Sequence, residues 1–187
     1  MNGDKIKAIQ SRVGAAVDGF WGPRSIEACQ GYLRRLMEAS SNRWPGTDQG
    51  SLTKFYGAAG DEGRLVMIEL PGCMRYEGIP VRRARVNARC AESLSRVLEA
   101  LAKSQQAGVL GEFAGVFNDR AMRGGSTPSL HARGAAIDLM PDSNGNRMHW
   151  PLAADMPFEV MEAFAREGWL AAGAFWGRDA MHFQATR

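Results

Sequence analysis

The sequence predicts an α+β fold: a small antiparallel sheet with covering helices, preceded by a small helical module. Three observations predict it. Apolar residues recur at helical spacing in several blocks, and short apolar runs bounded by glycine and proline read as strands. The two kinds of element also intermix without the alternation that a parallel sheet requires. A chain of 187 residues with 45% hydrophobic and 23% charged residues supports one compact domain with a small appendage, and excludes disordered and fibrous classes.

The elements follow in order. Ile6, Ile9 and Val13 mark a first helix, which VDGFWGP interrupts with two glycines and a proline. Pro23 then suits the first turn of a second helix, with Ile26, Cys29, Leu33, Leu36 and Met37 on one face. Residues 1–38 therefore read as the helical module, and the turn-forming residues 39–51 as a linker. Residues 52–187 are long enough for a core of their own. Within them, RLVMIEL (64–70) reads as a strand ended by Pro71-Gly72, and 91–103 as a helix with Leu94, Val97, Leu98 and Leu101 inward. A strand is expected at 135–139. A helix follows at 157–167, capped by Asp155 and stopped by Gly168, and a last strand at 181–184.

Charge and cysteine usage bound the partners. Lys and Arg exceed Asp and Glu by 23 to 20, too small an excess to argue for nucleic acid. No apolar run approaches the ~18–20 residues of a membrane span, and the start MNGDKIKAIQ does not read as a signal peptide. The expectation is a monomer made in the cytoplasm that does not insert into membranes. Cys29, Cys73 and Cys90 are spaced as reduced thiols, mostly packed inside, and the ten methionines as core fillers. Arg82, Arg83, Arg85 and Arg89 read first as a solvated face.

Three histidines occur, His131, His149 and His182. Two of them stand in dense motifs: Ser129–Asp138 has the skeleton SxHxxGxAxD, and Asp179–Phe183 reads DxxHF. Two imidazoles and a carboxylate, His131, His182 and Asp138, make a mixed nitrogen and oxygen set suited to zinc, with a fourth position left open. His149 lies in the polar stretch NGNRMHWP and reads as a surface or substrate-side residue.

SxHxxGxAxD followed by DxxHF resembles the D-alanyl-D-alanine carboxypeptidase-like zinc peptidases, over roughly residues 52–187. The resemblance implies a zinc D,D-peptidase-like fold and one Zn2+ per chain on His131, Asp138 and His182. It also implies Asp179 as the general base toward a zinc-activated water, and Arg120, with Arg123 as second choice, as the group that polarises the scissile carbonyl. Ser129, Arg123 and Trp176 are the implied or expected substrate contacts; Trp169 and Phe175 read as packing. Asp at position 179, where many members carry Glu, leans toward phage endolysins that cut the L-alanyl-D-glutamate bond of peptidoglycan. IQSRVGAAVDGFWGPRSIEACQGYL resembles a short peptidoglycan-binding module, which makes Asp18, Phe20 and Trp21 the candidate wall contacts. The expected protein is then held in the host cytoplasm until released and acts on the cell wall. The alternatives are a D-alanyl-D-alanine carboxypeptidase or dipeptidase of wall metabolism, and a non-enzymatic wall-binding protein with structural zinc.

Overall fold

A computed structural model describes residues 2–187, so Met1 of the expected 1–38 module lies outside the described residues. The architecture is α+β, as expected, with three antiparallel sheets among the described residues. Helix α1 (Asn2–Val13) buries Ile6, Ile9 and Val13, and α2 (Pro23–Ala39) starts at its proline and buries Cys29 and Leu33. Ile26, expected on that inward face, is 38% exposed at its edge. The buried Gln10 knits the turn between the helices. Its Nε2 lies 2.7–3.0 Å from Asp18 Oδ1, Phe20 O and Ser25 Oγ, and its Oε1 accepts from Gly19 N.

The stretch 39–51 is less free than its turn residues suggest. Trp44 and Pro45 are buried in it, Trp44 Nε1 donates to Glu167 O (3.0 Å), and Asp48 caps helix α3 (Gln49–Tyr56) by accepting from Ser51 N. An N-cap carboxylate satisfies one of the orphan amides of the first turn, so α3 starts three residues before residue 52. Strand β1 (Leu65–Glu69) follows, then the short hairpin of β2 (Arg75–Tyr76) and β3 (Ile79–Pro80), and then β4 (Arg83–Asn87), which pairs with β1. The arginine cluster thus sits partly on a strand: Arg83 pairs with Glu69, Arg85 with Glu62, and Arg89 lies over the ring of Phe55.

Helix α4 (Ala91–Ala102) buries the four residues read from its periodicity, Leu94, Val97, Leu98 and Leu101. Four strands build the sheet that positions the site: β5 (Phe113–Gly115), β6 (Ala136–Leu139), β7 (Leu170–Ala171) and β8 (His182–Gln184), in the order β5-β6-β8-β7. Helices α5 (Pro141–Asn144), α6 (Phe158–Arg166) and α7 (Ala172–Trp176) complete the chain. Asp155 does not cap α6. Pro157, fixed in an extended conformation, takes the N-cap position two residues later and offers no side-chain acceptor. Gly168 does end the helix, in the left-handed region at φ 80.

Ile9, Val13, Cys29 and Leu33 belong to the same hydrophobic cluster as Leu98, Ile137, Phe164 and Phe183. Glu162, buried on α6, fixes both N-terminal helices against it. Its carboxylate accepts from Arg12 (2.9 and 3.1 Å) and from Tyr32 OH (2.5 Å). Among the described residues, no helix is long and apolar enough to cross a membrane.

Candidate metal centre

Two local devices aim the candidate ligands. Ser129 caps a single 3-10 turn, Leu130–Arg133, its Oγ accepting from His131 N, and Gly134 closes that turn at φ 65. A Cβ on Gly134 would stand 2.7 Å from Leu65 Cδ2 and 2.8 Å from Asn87 N, so glycine is required there both for its backbone angle and for the close approach of β4. The chain then enters β6, where Asp138 pairs directly with His182 of β8. Cross-strand partners project from the same face, which sets the carboxylate beside the imidazole.

The three donor atoms converge. His131 Nε2 is 3.2 Å from Asp138 Oδ1 and 3.2 Å from His182 Nδ1, and His182 Nδ1 is 2.9 Å from Asp138 Oδ1, with all three residues buried. Their outer partners fix the tautomers. His131 Nδ1 faces the carbonyl of Val116 (2.7 Å) and must donate to it, which leaves a lone pair on Nε2. Gln184 Nε2 donates to Thr186 Oγ1 (2.6 Å), so its Oε1 accepts from His182 Nε2 (3.1 Å) and leaves a lone pair on His182 Nδ1.

Two imidazole lone pairs and a carboxylate therefore point at one small volume, an arrangement that demands a positive charge between them. Burial alone would raise the Asp138 carboxyl, yet its two histidine neighbours hold it well below the usual range. Burial alone would lower His182, yet Asp138 holds it above its ordinary value. For bonds of about 2.0–2.1 Å the edge of a zinc tetrahedron is roughly 3.3 Å, close to the separations found. The residues fit zinc.

Asp179 stands beside this cluster with a left-handed backbone (φ 57), and its carbonyl accepts from His182 N. Its Oδ1 is buried and has no hydrogen-bond partner among the described residues. Burial pushes the carboxyl above its ordinary value, opposed by the charges of His182 and Arg123. A buried acceptor without a partner costs stability unless something binds there; the other buried polar side-chain atom without a partner among the described residues is Arg133 Nη1. Arg120, Arg123, Ser129 and Trp176 line the same cleft, of about 180 Å3, together with Asn146, Arg178 and Gln184. Trp176 is 47% exposed and its ring stacks on that of His182 at 5.6 Å. Ser129 serves as the cap described above.

The structure keeps other candidates apart from this cluster. His149 is exposed, and its Nδ1 faces Gly177 O (3.3 Å) outside the ligand set. Trp169 is fully buried, with Nε1 donating to Ser93, and Phe175 lies under Arg34. At the N-terminal turn Asp18 is tied to Gln10 and to Phe20 N, Trp21 packs edge-on against Trp150 (5.4 Å), and Phe20 is 70% exposed. Sequence reasoning missed Arg178, Gln184 and the Val116 carbonyl. Arg178 adjoins Asp179 and Gln184 lies two residues past His182, so both were within reach; nothing in the sequence marks Val116.

A comparison with protein families bears on the class of chemistry. Residues 123–185 match the family model of the D-alanyl-D-alanine carboxypeptidases. The carboxypeptidase match spans Arg123, Ser129, His131, Asp138, Asp179 and His182, and leaves out Arg120 and the N-terminal helices. At that level it supports a zinc-type peptidase acting on peptidoglycan. Neither the comparison with curated proteins nor that with solved structures gave a match.

Proposed function

We propose that the protein is a phage or prophage endolysin, a zinc endopeptidase that cuts peptidoglycan stem peptides between L-alanine and D-glutamate. The observation that carries the reading is the orphaned Asp179 Oδ1 beside three converging donor atoms. His131, Asp138 and His182 would hold the metal, one per chain. Zinc bound there supplies the Lewis acidity that activates water and polarises a peptide carbonyl at neutral pH. Asp179 takes the proton of the attacking water on its free oxygen and returns it to the leaving amine. Its raised pKa favours that work, since a carboxyl that holds a proton more readily is a better acceptor. Arg120 or Arg123 binds the carbonyl oxygen as charge develops on it.

A second pocket adjoins the cleft at the metal cluster. The two share Arg120, Arg123, His131, Asp138 and Met181, and Tyr76, Phe117 and Asn118 line the second. In this reading the second pocket takes the part of the stem peptide on the far side of the scissile bond, as an endopeptidase requires. Residues 1–38 serve in this reading as the wall-binding unit, joined through 39–51 to the catalytic residues 52–187, with the exposed Phe20 as its principal contact.

The test is digestion of purified sacculi followed by mass spectrometry of the soluble products. Stem peptides beginning with D-glutamate are expected; free D-alanine as the main product would favour the carboxypeptidase reading. Chelation is expected to abolish lysis. His182→Ala should lose both metal and activity, while Asp179→Asn keeps the metal and loses activity on the order of a hundredfold or more. Zinc retained in His182→Ala but lost from His149→Ala would overturn the ligand assignment.

A further inference from the structure

Three guanidiniums line the cleft beside the metal cluster, and they are not equivalent. Arg120 turns Nη1 back onto the carbonyl of Ala121 (3.2 Å). The charge of Arg123 acts on Asp179. Arg178 does neither: among the described residues no carboxylate lies within 4.0 Å of its guanidinium and no hydrogen bond engages it.

Its backbone, by contrast, is held firmly. Arg178 forms an antiparallel bridge with His149, and Trp150 N donates to Gly177 O (3.1 Å). Its neighbours Gly177 and Asp179 both sit in the left-handed region, at φ 70 and 57. The anchored backbone keeps the charge at the cleft, and the unengaged head group has no internal partner to give up on binding. The exposed Trp176 ring stacks on His182, and both it and Asn146 line the same cleft as Arg178.

We infer that Arg178, with Asn146 and the Trp176 ring beside it, forms a carboxylate-binding subsite next to the metal cluster. It reads an acid group on the substrate residue adjoining the scissile bond. A guanidinium presents two parallel N–H donors that match a carboxylate. The inference rests on the peptidase reading, and a stem peptide offers two sources for the acid group. One is the free α-carboxylate of a γ-linked D-glutamate, on the leaving side of an L-alanyl-D-glutamate cut. The other is the carboxylate of a C-terminal D-alanine.

Calorimetric binding separates these cases without relying on turnover. The zinc-loaded full chain carrying Asp179→Asn is titrated with L-alanyl-γ-D-glutamyl-L-lysyl-D-alanine, with its D-glutamate α-amide, and with its C-terminal amide. The α-amide is expected to bind about tenfold or more weakly, the size of one charge-assisted hydrogen bond, while the C-terminal amide binds like the parent. Adding Arg178→Gln should weaken the parent to the level of the α-amide and erase the difference between them. Arg178→Lys should restore part of it. Discrimination by Arg178 against the C-terminal amide instead would support the subsite and overturn the L-alanyl-D-glutamate reading. Equal binding of all three peptides, or discrimination that survives Arg178→Gln, would overturn the subsite, whichever bond the sacculus digest shows to be cut.

Discussion

Gln184 shows how one uncharged side chain can decide what a histidine is able to do. Its amide accepts from His182 Nε2 and donates to Thr186, and this sets which imidazole nitrogen faces the candidate metal cluster. Gln184→Leu removes that acceptor and puts an apolar side chain of comparable bulk in its place. Zinc affinity, measured by competition with a chelating dye, is expected to fall roughly ten- to hundredfold with the fold retained, the usual effect of losing an outer partner. Unchanged affinity would mean the tautomer is set elsewhere. The thiols give a second residue-scale prediction. Burial pushes Cys29 and Cys90 up to about 12, whereas Cys73 is exposed. At pH 8 a thiol reagent should label one cysteine per native chain, Cys73, and the other two only after unfolding.

At the scale of elements, the site depends on a turn and a ladder more than on any single ligand. The 3-10 turn carrying His131 and the strand carrying Asp138 meet at Gly134, whose missing Cβ admits the backbone of β4. Gly134→Ala must push against the amide of Asn87 and also adopt a left-handed angle. We expect a loss of about 1–3 kcal/mol, read from urea unfolding, together with weaker zinc binding, because the turn that aims His131 is displaced. Loss of stability with zinc affinity intact would show that His131 and β6 are aimed independently. The β6–β8 register acts similarly. Since Asp138 faces His182 across the ladder, a slip of one residue would send one ligand to the opposite face.

The whole molecule ties its N-terminal helices to the body that holds the site. Leu33 of α2 is fully buried in the common cluster, and Glu162 bonds to Arg12 and Tyr32. Leu33→Ala is expected to cost about 2–5 kcal/mol of unfolding free energy. Phe20 is 70% exposed on the turn between the same helices, so Phe20→Ala should leave the melting temperature unchanged while weakening retention on purified sacculi. Unaltered retention would remove Phe20 from the wall-binding proposal. Point substitution is preferable here to truncation of residues 1–38, which would also remove part of the common cluster.

The sequence by itself determined the α+β class, the periodic helices and the three candidate ligands that the fold brings together. Leu94, Val97, Leu98 and Leu101 follow helical spacing because one face of α4 is buried. His131, Asp138 and His182 stood out because rare ligating residues cluster in two dense motifs. The short strands β2, β3, β5 and β7 were not legible, since two or three residues carry no period and owe their pairing to neighbours distant in sequence. The cap of α6 was misjudged because a nearby carboxylate is not a cap unless the chain turns into the helix at that residue, and Pro157 turns it later. Only the tertiary structure decided that Asp179 keeps a buried oxygen without a partner, that Val116 and Gln184 set the imidazole tautomers, and that Arg178 stands unpaired at the cleft. The physical reason is common to all three. Burial and hydrogen bonding are properties of what surrounds a group, and those surroundings are assembled from segments far apart along the chain.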